Sequence, residues 1–248
     1  PEAAMRLRQR LEAVLNAAKG QGHRSGENPA AWRGHLAHIL PGRQKVERGH
    51  YAAMPYDRVP EFMARLRATD TVAARGLEFA ILTAARSGEV YGARWSEFDA
   101  DGKVWTIPGQ RMKAGEPHRV PLSDRAAAIV AERRKVKEND FVFPGIKPNK
   151  GLSHVMFAKT LSRLGEDEAT PHGFRSSFRD WAGNETPFPR EVAEAALAHT
   201  VGDKAEQAYR RGDALEKRRA LMEAWGSYCE PNAATNVVRL KKSGGGTA

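Results

Sequence analysis

Four short stretches of this chain hold residue types that could work together on a phosphate. In PHGFRSSFRDWA (171–182), His172 and Arg175 are three residues apart and share one face if the stretch is helical. A guanidinium fork gives a phosphate two parallel hydrogen bonds, and an imidazole beside it donates or moves a proton. Arg179 extends the row by one more turn. In TAARSGEV, Arg86 closes an apolar run, where a cation needs an anion or a buried partner; Glu89 follows three residues later. In LAHTVGDKAEQAYRR (197–211), His199 ends another apolar stretch and Tyr209 stands ten residues on. A phenol is a poor nucleophile at its free pKa of about 10, and cations around a phosphate activate it. In GQRMKAGEP, Lys113 lies in a polar stretch between two strand-like runs, from which a flexible side chain reaches over a phosphodiester.

Each feature has an ordinary explanation beside this one. Arg86 could satisfy helix C-terminal carbonyls or pair with Glu89. A lone HxxR is far more often a solvated basic helix face. Tyr209 could be an aromatic packed in a core, and Lys113 a solvated turn lysine. Taken singly, the ordinary explanation is the commoner one.

The elements that must carry these residues are mostly helices. Residues 3–18 read as an amphipathic helix with Met5, Leu7, Leu11, Val14, Leu15 and Ala18 near one face, stopped by Gly20 and Gly22. Residues 28–40 read as a second short helix, with Asn28 as N-cap and Pro29 in the first turn. The stretch 42–57 is polar and basic, and reads as a linker. Helical runs follow at 61–68, 71–86 and 89–98. KVWTIP (103–108) and HRVPLS (118–123) form a hairpin with a long basic tip. FVFPG (141–145) is a short strand or extended segment, and helices are expected at 124–135, 153–164, 172–184, 190–198 and 203–224. The fold class is therefore mainly α with a small antiparallel β-sheet (α+β).

Composition narrows the function. Forty Lys and Arg against thirty Asp and Glu give a net charge of +10, and the pI is about 9.9. A surplus of this size favours a polyanionic partner, nucleic acid or an acidic membrane surface. No apolar run approaches the roughly 18 residues of a membrane span. The single cysteine excludes an internal disulfide and cysteine-rich zinc sites. No HExxH, CxxC or GxxxxGK[ST] is present.

The order and spacing of Arg86, Lys113, His172-x-x-Arg175, His199 and Tyr209 resemble the tyrosine recombinase (phage integrase) catalytic domain. The words TAARSGEVYGARWSEFD, WTIPGQRMKAGEPHRVPLS, PHGFRSSFRDWA and LAHTVGDKAEQAYRRGDALEKRRALMEAW are similar to the P4-like integrases of phages and genomic islands. The resemblance implies truncated core-binding-domain helices over 1–45, a linker over 46–56, a tyrosine recombinase catalytic domain over 57–230 and a basic, glycine-rich tail over 231–248. It implies that Tyr209 attacks a DNA phosphodiester and forms a 3′-phosphotyrosyl link. Arg86 and Arg175 would clamp the non-bridging oxygens, and Lys113 would protonate the leaving 5′-oxygen. His172 would accept the tyrosine proton, His199 would donate to the phosphate, and Glu89 would support Arg86. No cofactor or metal is implied. The partner is double-stranded DNA, with a homotetramer assembled on it and a monomer when free, in a bacterial cytoplasm. A DNA-binding module without turnover, a type IB topoisomerase and a metal-dependent transposase are the rival readings.

Overall fold

The computed structural model describes residues 2–40, 52–199 and 214–230. The chain divides into two units, Pro1–Gly49 and His50–Ala248.

In the first unit one helix, α1 (Glu2–Gly20), covers the expected amphipathic run. Its half-buried stripe is Met5, Arg8, Glu12, Leu15 and Ala18, while Leu7, Leu11 and Val14 are exposed. The second helix expected over 28–40 does not form; only a 3-10 turn, Leu36–His38, appears there. The reason lies in Asn28. Its side-chain oxygen accepts from the Ala30 N–H at 2.9 Å, and its amide donates to the Glu12 carbonyl at 2.8 Å and to Asn16 at 2.7 Å. Asn28 thus ties a turn to α1 instead of starting a helix. Gly34, at φ +72°, then takes a conformation no helix continues through.

The second unit is built around α3 (Val72–Thr83). Thr71 caps it by accepting the Ala74 N–H at 3.1 Å. Ten of its twelve residues are buried, so helices must cover it on every side. Those packed on it are α2 (Val59–Arg67), α4 (Ser87–Tyr91), α5 (Asp124–Lys135), α6 (Met156–Arg163), α7 (Gly173–Glu185) and the last helix described, Leu215–Tyr228. Gly76 permits the approach of α6, since a Cβ there would stand 3.0 Å from Leu152 and 3.1 Å from Phe157. Phe79 packs against Phe98, Trp105 and Phe143. The last helix is pinned where the Trp225 indole donates to the Ile81 carbonyl at 2.8 Å. One further helix, α8 (Arg190–Ala196), packs on α7 and on the last helix; the last helix is hereafter α9.

The hairpin forms as expected. β1 (Val104–Ile107) pairs antiparallel with β2 (His118–Pro121), in a register that sets Ile107 opposite His118. The fold is mainly helical with this two-stranded sheet. Four expected elements differ; in the run 203–224, residues 203–213 lie outside the described residues and the helix begins at Leu215, after Ala214 turns left-handed at φ +50°. Helix 71–86 stops at Thr83, because Ala84 turns left-handed at φ +49°. The run 89–98 divides into α4 and a 3-10 turn, Trp95–Glu97. Segment 141–145 makes only isolated bridges, Phe141 to Arg94 and Pro144 to Gly151.

Candidate active site

The break after α3 places Arg86. Two residues beyond the left-handed Ala84, Arg86 precedes α4 in extended conformation, so it opens a short helix and does not close a long one. Glu89, at the third position of α4, holds it twice. One carboxylate oxygen accepts the Arg86 backbone N–H at 2.8 Å, and the other accepts the guanidinium at 2.8 Å. The pairing with Glu89 is therefore present, and a further guanidinium donor reaches the Ala198 carbonyl at 3.4 Å.

Arg175 comes from the first turn of α7 and is 5% exposed. It donates to the Ala84 carbonyl through Nη1 and to the Leu197 carbonyl at 2.6 Å through Nη2. The same Nη2 lies 3.1 Å from Nε2 of His199. Arg86 and Arg175 thus bind consecutive carbonyls at the end of α8, and Ala198, at φ +49°, turns that segment toward them. The Nε–H of Arg175 is buried without a partner among the described residues. A buried donor left over in this way costs stability unless an acceptor arrives.

The cations repel one another. Burial first, and then the charge of Arg86, pull the Arg175 guanidinium down to about 10. Burial lowers His172 as well, and the charges of Arg175 and Arg86 act in the same direction. Arg86 thus opposes the charge of both Arg175 and His172, and a bound anion would relieve that repulsion. Four of the residues named from sequence (Arg86, His172, Arg175 and His199) are therefore brought together, with Glu89 beside them.

Lys113 is exposed in the turn between β1 and β2. Tyr209 lies outside the described residues. Of the other tyrosines, Tyr51 also lies outside them, and three are committed elsewhere. Tyr56 donates to Glu185 at 2.8 Å, Tyr91 to the His154 carbonyl at 3.1 Å and Tyr228 to the Tyr56 carbonyl at 3.2 Å. All three phenols are shifted upward: Tyr56 chiefly by its bond to Glu185, Tyr91 by burial, and Tyr228 by burial to about 12. These shifts oppose nucleophilic use.

Two residues near the site, His118 and Glu194, are not among those that the motifs single out. His118 opens β2, and burial, then Arg218, then Arg175 hold its imidazole down at about 4. Glu194 on α8 accepts from Nδ1 of His199 at 2.7 Å. An acidic residue five positions before an imidazole at a helix end was the available clue. Arg179 is reassigned by the same carboxylate. It does not extend the row expected to face a phosphate, because its Nε donates to Glu194 at 2.7 Å.

Among the described residues no three His, Cys, Asp or Glu cluster as metal ligands, and no helix is long and apolar enough to cross a membrane. The sequence profile of the phage integrase family matches residues 53–216. The chain belongs to the phage integrase family. Within it the chain is of the P4 type expected from its motifs. It is 32% identical to the integrase of Enterobacteria phage P4 over 251 residues, which cover 93% of this chain and 56% of that one. It is 34% identical to the prophage integrase IntA of Escherichia coli (strain K12) over 200 residues, covering 79% of this chain and 48% of that one. The chain thus spans about half the length of these relatives. Its fold is shared with a lambda integrase dimer bound to a COC′ core site, at a TM-score of 0.56 and 17% identity over 86% of this chain and 60% of that one. It is likewise shared with a lambda integrase tetramer bound to a Holliday junction, at 0.54 and 16% over 81% and 57%.

Proposed function

We propose that this chain is the catalytic portion of a site-specific DNA recombinase that integrates or excises a mobile element through a 3′-phosphotyrosyl intermediate. The observation that carries the reading is the convergence of Arg86, Arg175, His172 and His199 on one small volume, with a buried Arg175 donor left over. Tyr209 attacks the scissile phosphorus and the 5′-oxygen leaves. Arg86 and Arg175 bind the non-bridging oxygens, where charge grows in the pentavalent transition state. His172, whose neutral form is favoured by burial and by its cationic neighbours, accepts the phenol proton. His199 donates to the phosphate, and Lys113, on the hairpin turn, protonates the leaving oxygen. Glu89 keeps Arg86 aimed. Fixed side-chain cations supply the charge neutralisation that metal ions supply in other phosphoryl transfers, so the reaction is expected to run in EDTA. The phosphotyrosyl link conserves the energy of the broken bond, so rejoining needs no nucleotide.

The partner is double-stranded DNA, in keeping with the +10 charge and with the core-site and Holliday-junction complexes of lambda integrase. A tetramer on two paired DNA sites, a free monomer and a location on DNA in the bacterial cytoplasm complete the proposal, with the domain limits 1–45, 46–56, 57–230 and 231–248.

The test uses a nicked suicide duplex that spans the element's attachment junction. The chain is expected to trap as a covalent adduct in the presence of EDTA, and Tyr209→Phe is expected to trap none. Loss of the adduct in EDTA, or its persistence in the Phe variant, refutes the mechanism.

A further inference from the structure

The imidazole of His199 is gripped at both nitrogens. Nδ1 lies 2.7 Å from Oε2 of Glu194, and Nε2 lies 3.1 Å from Nη2 of Arg175. A guanidinium nitrogen only donates, and an ionised carboxylate only accepts. Burial pushes the Glu194 carboxyl up, but the hydrogen bonds from His199 and Arg179 and the charge of Arg179 outweigh it and hold the group below its ordinary value. Glu194 is thus ionised, and the two partners assign the tautomer: Nδ1 carries the hydrogen and Nε2 presents its lone pair to Arg175.

The carboxylate is itself fixed. Its other oxygen accepts from Arg179 Nε at 2.7 Å, with Arg190 Nε at 3.6 Å. Arg175 and Arg179 are four residues apart on α7, so they share a face. A closed ring of contacts therefore runs from α7 through Arg179, Glu194, His199 and Arg175 back to α7. Such a ring sets both the angle of the imidazole and the identity of the nitrogen that faces the cation cluster.

We propose that Glu194 is a positioning residue for the phosphate site: it holds His199 through Nδ1–H, aims Nε2 at the phosphate, and balances the ring's charge when Nε2 takes a proton and becomes a donor. The inference rests on the phosphate-site reading of Arg86, Arg175 and His199. A phosphate that draws the Arg175 donor away would face the Nε2 lone pair, which repels an anion. One proton taken from solvent onto Nε2 converts that repulsion into a hydrogen bond. The Arg175 guanidinium, 3.1 Å from Nε2, faces the added proton, and the Glu194 carboxylate at 2.7 Å and the bound phosphate supply the compensating negative charge.

Nitrogen NMR of the 15N-histidine-labelled chain tests this, with inorganic phosphate as the probe. The parent chain is expected to show His199 as Nδ1–H alone, and with both nitrogens protonated once phosphate is saturating. In Glu194→Gln, Arg179 holds the amide oxygen, and the amide N–H turns to Nδ1. The ring is then expected to carry its hydrogen on Nε2 and to stay neutral with phosphate. Glu194→Asp keeps the charge and is expected to restore the double protonation, which guards against a Gln variant that fails to fold. A parent ring with Nε2–H, a parent ring unmoved by phosphate, or a Gln variant identical to the parent overturns the proposal. On the suicide duplex Glu194→Gln is expected to form adduct about 10-fold more slowly. A parent chain that forms no adduct defeats the recombinase reading, while the NMR result still decides the role of Glu194.

Discussion

Arg175, proposed to face the phosphate, also holds the site together. Its donors to the Ala84 and Leu197 carbonyls join the end of α3 to the end of α8. Arg175→Ala is thus expected to abolish cleavage and also to lower stability by about 1–3 kcal/mol for each stranded carbonyl, read by denaturant unfolding. Arg175→Lys retains a charge without the fork, and should bind DNA while failing to cleave. Cleavage by the Lys variant at the parent rate would remove the clamp from the mechanism. Glu78 is the second residue on which much depends. It is fully buried and accepts from Arg67 at 2.7 Å, Arg75 at 2.5 Å and Arg125 at 2.8 Å. Burial pushes its carboxyl up, and Arg125 and Arg67 outweigh that and hold it below the ordinary value. A depressed carboxyl contributes stability above its unfolded pKa of about 4.3, and that contribution is lost as pH falls through the folded value. Glu78→Ala should cost about 3–5 kcal/mol at pH 7. Glu78→Gln should flatten the acid limb of the stability curve, and an unchanged limb would show that the network is not what acid breaks.

Elements explain why some of the site could be read in the sequence and some could not. His172 and Arg175 follow from helical spacing, and α7 supplies the helix. Glu194 was missed because its bond to His199 depends on the left-handed turn at Ala198, which nothing in LAHT announces. Helix 28–40 failed for a similar reason: the Asn28 side chain spends its bonds on α1, and a distant partner is invisible in local pattern. Arg86 was expected inside a helix end and instead opens the next one, since Ala84 breaks the run without a glycine or proline to mark it. The start of α7 offers an element-scale test. A Cβ on Gly173 would collide with the Ala52 carbonyl oxygen and stand 2.8 Å from the Ala53 Cα. Gly173→Ala must push α7 away from segment 52–54, and Arg175 moves with it. A lower Tm together with lost adduct formation is expected; a variant with parent Tm and parent rate would mean that the helix start yields without cost.

At the scale of the whole molecule, the proposed function has charge set binding and the cation cluster set the chemistry. Each phosphate neutralised on duplex DNA adds about −0.9 to the slope of log affinity against log salt, so contact with about five phosphates gives a slope near −4.5. A titration at several salt concentrations that returned a slope near zero would contradict a DNA partner held by the +10 surplus. The proposed chemistry is narrower: these cations surround one scissile phosphate with Tyr209 as its nucleophile. Tryptic digestion of the suicide-trapped adduct, followed by mass spectrometry, tests it most directly. The nucleotide is expected on the peptide of residues 205–210, AEQAYR, bonded to Tyr209. A nucleotide on Tyr51, Tyr56, Tyr91 or Tyr228 would contradict it.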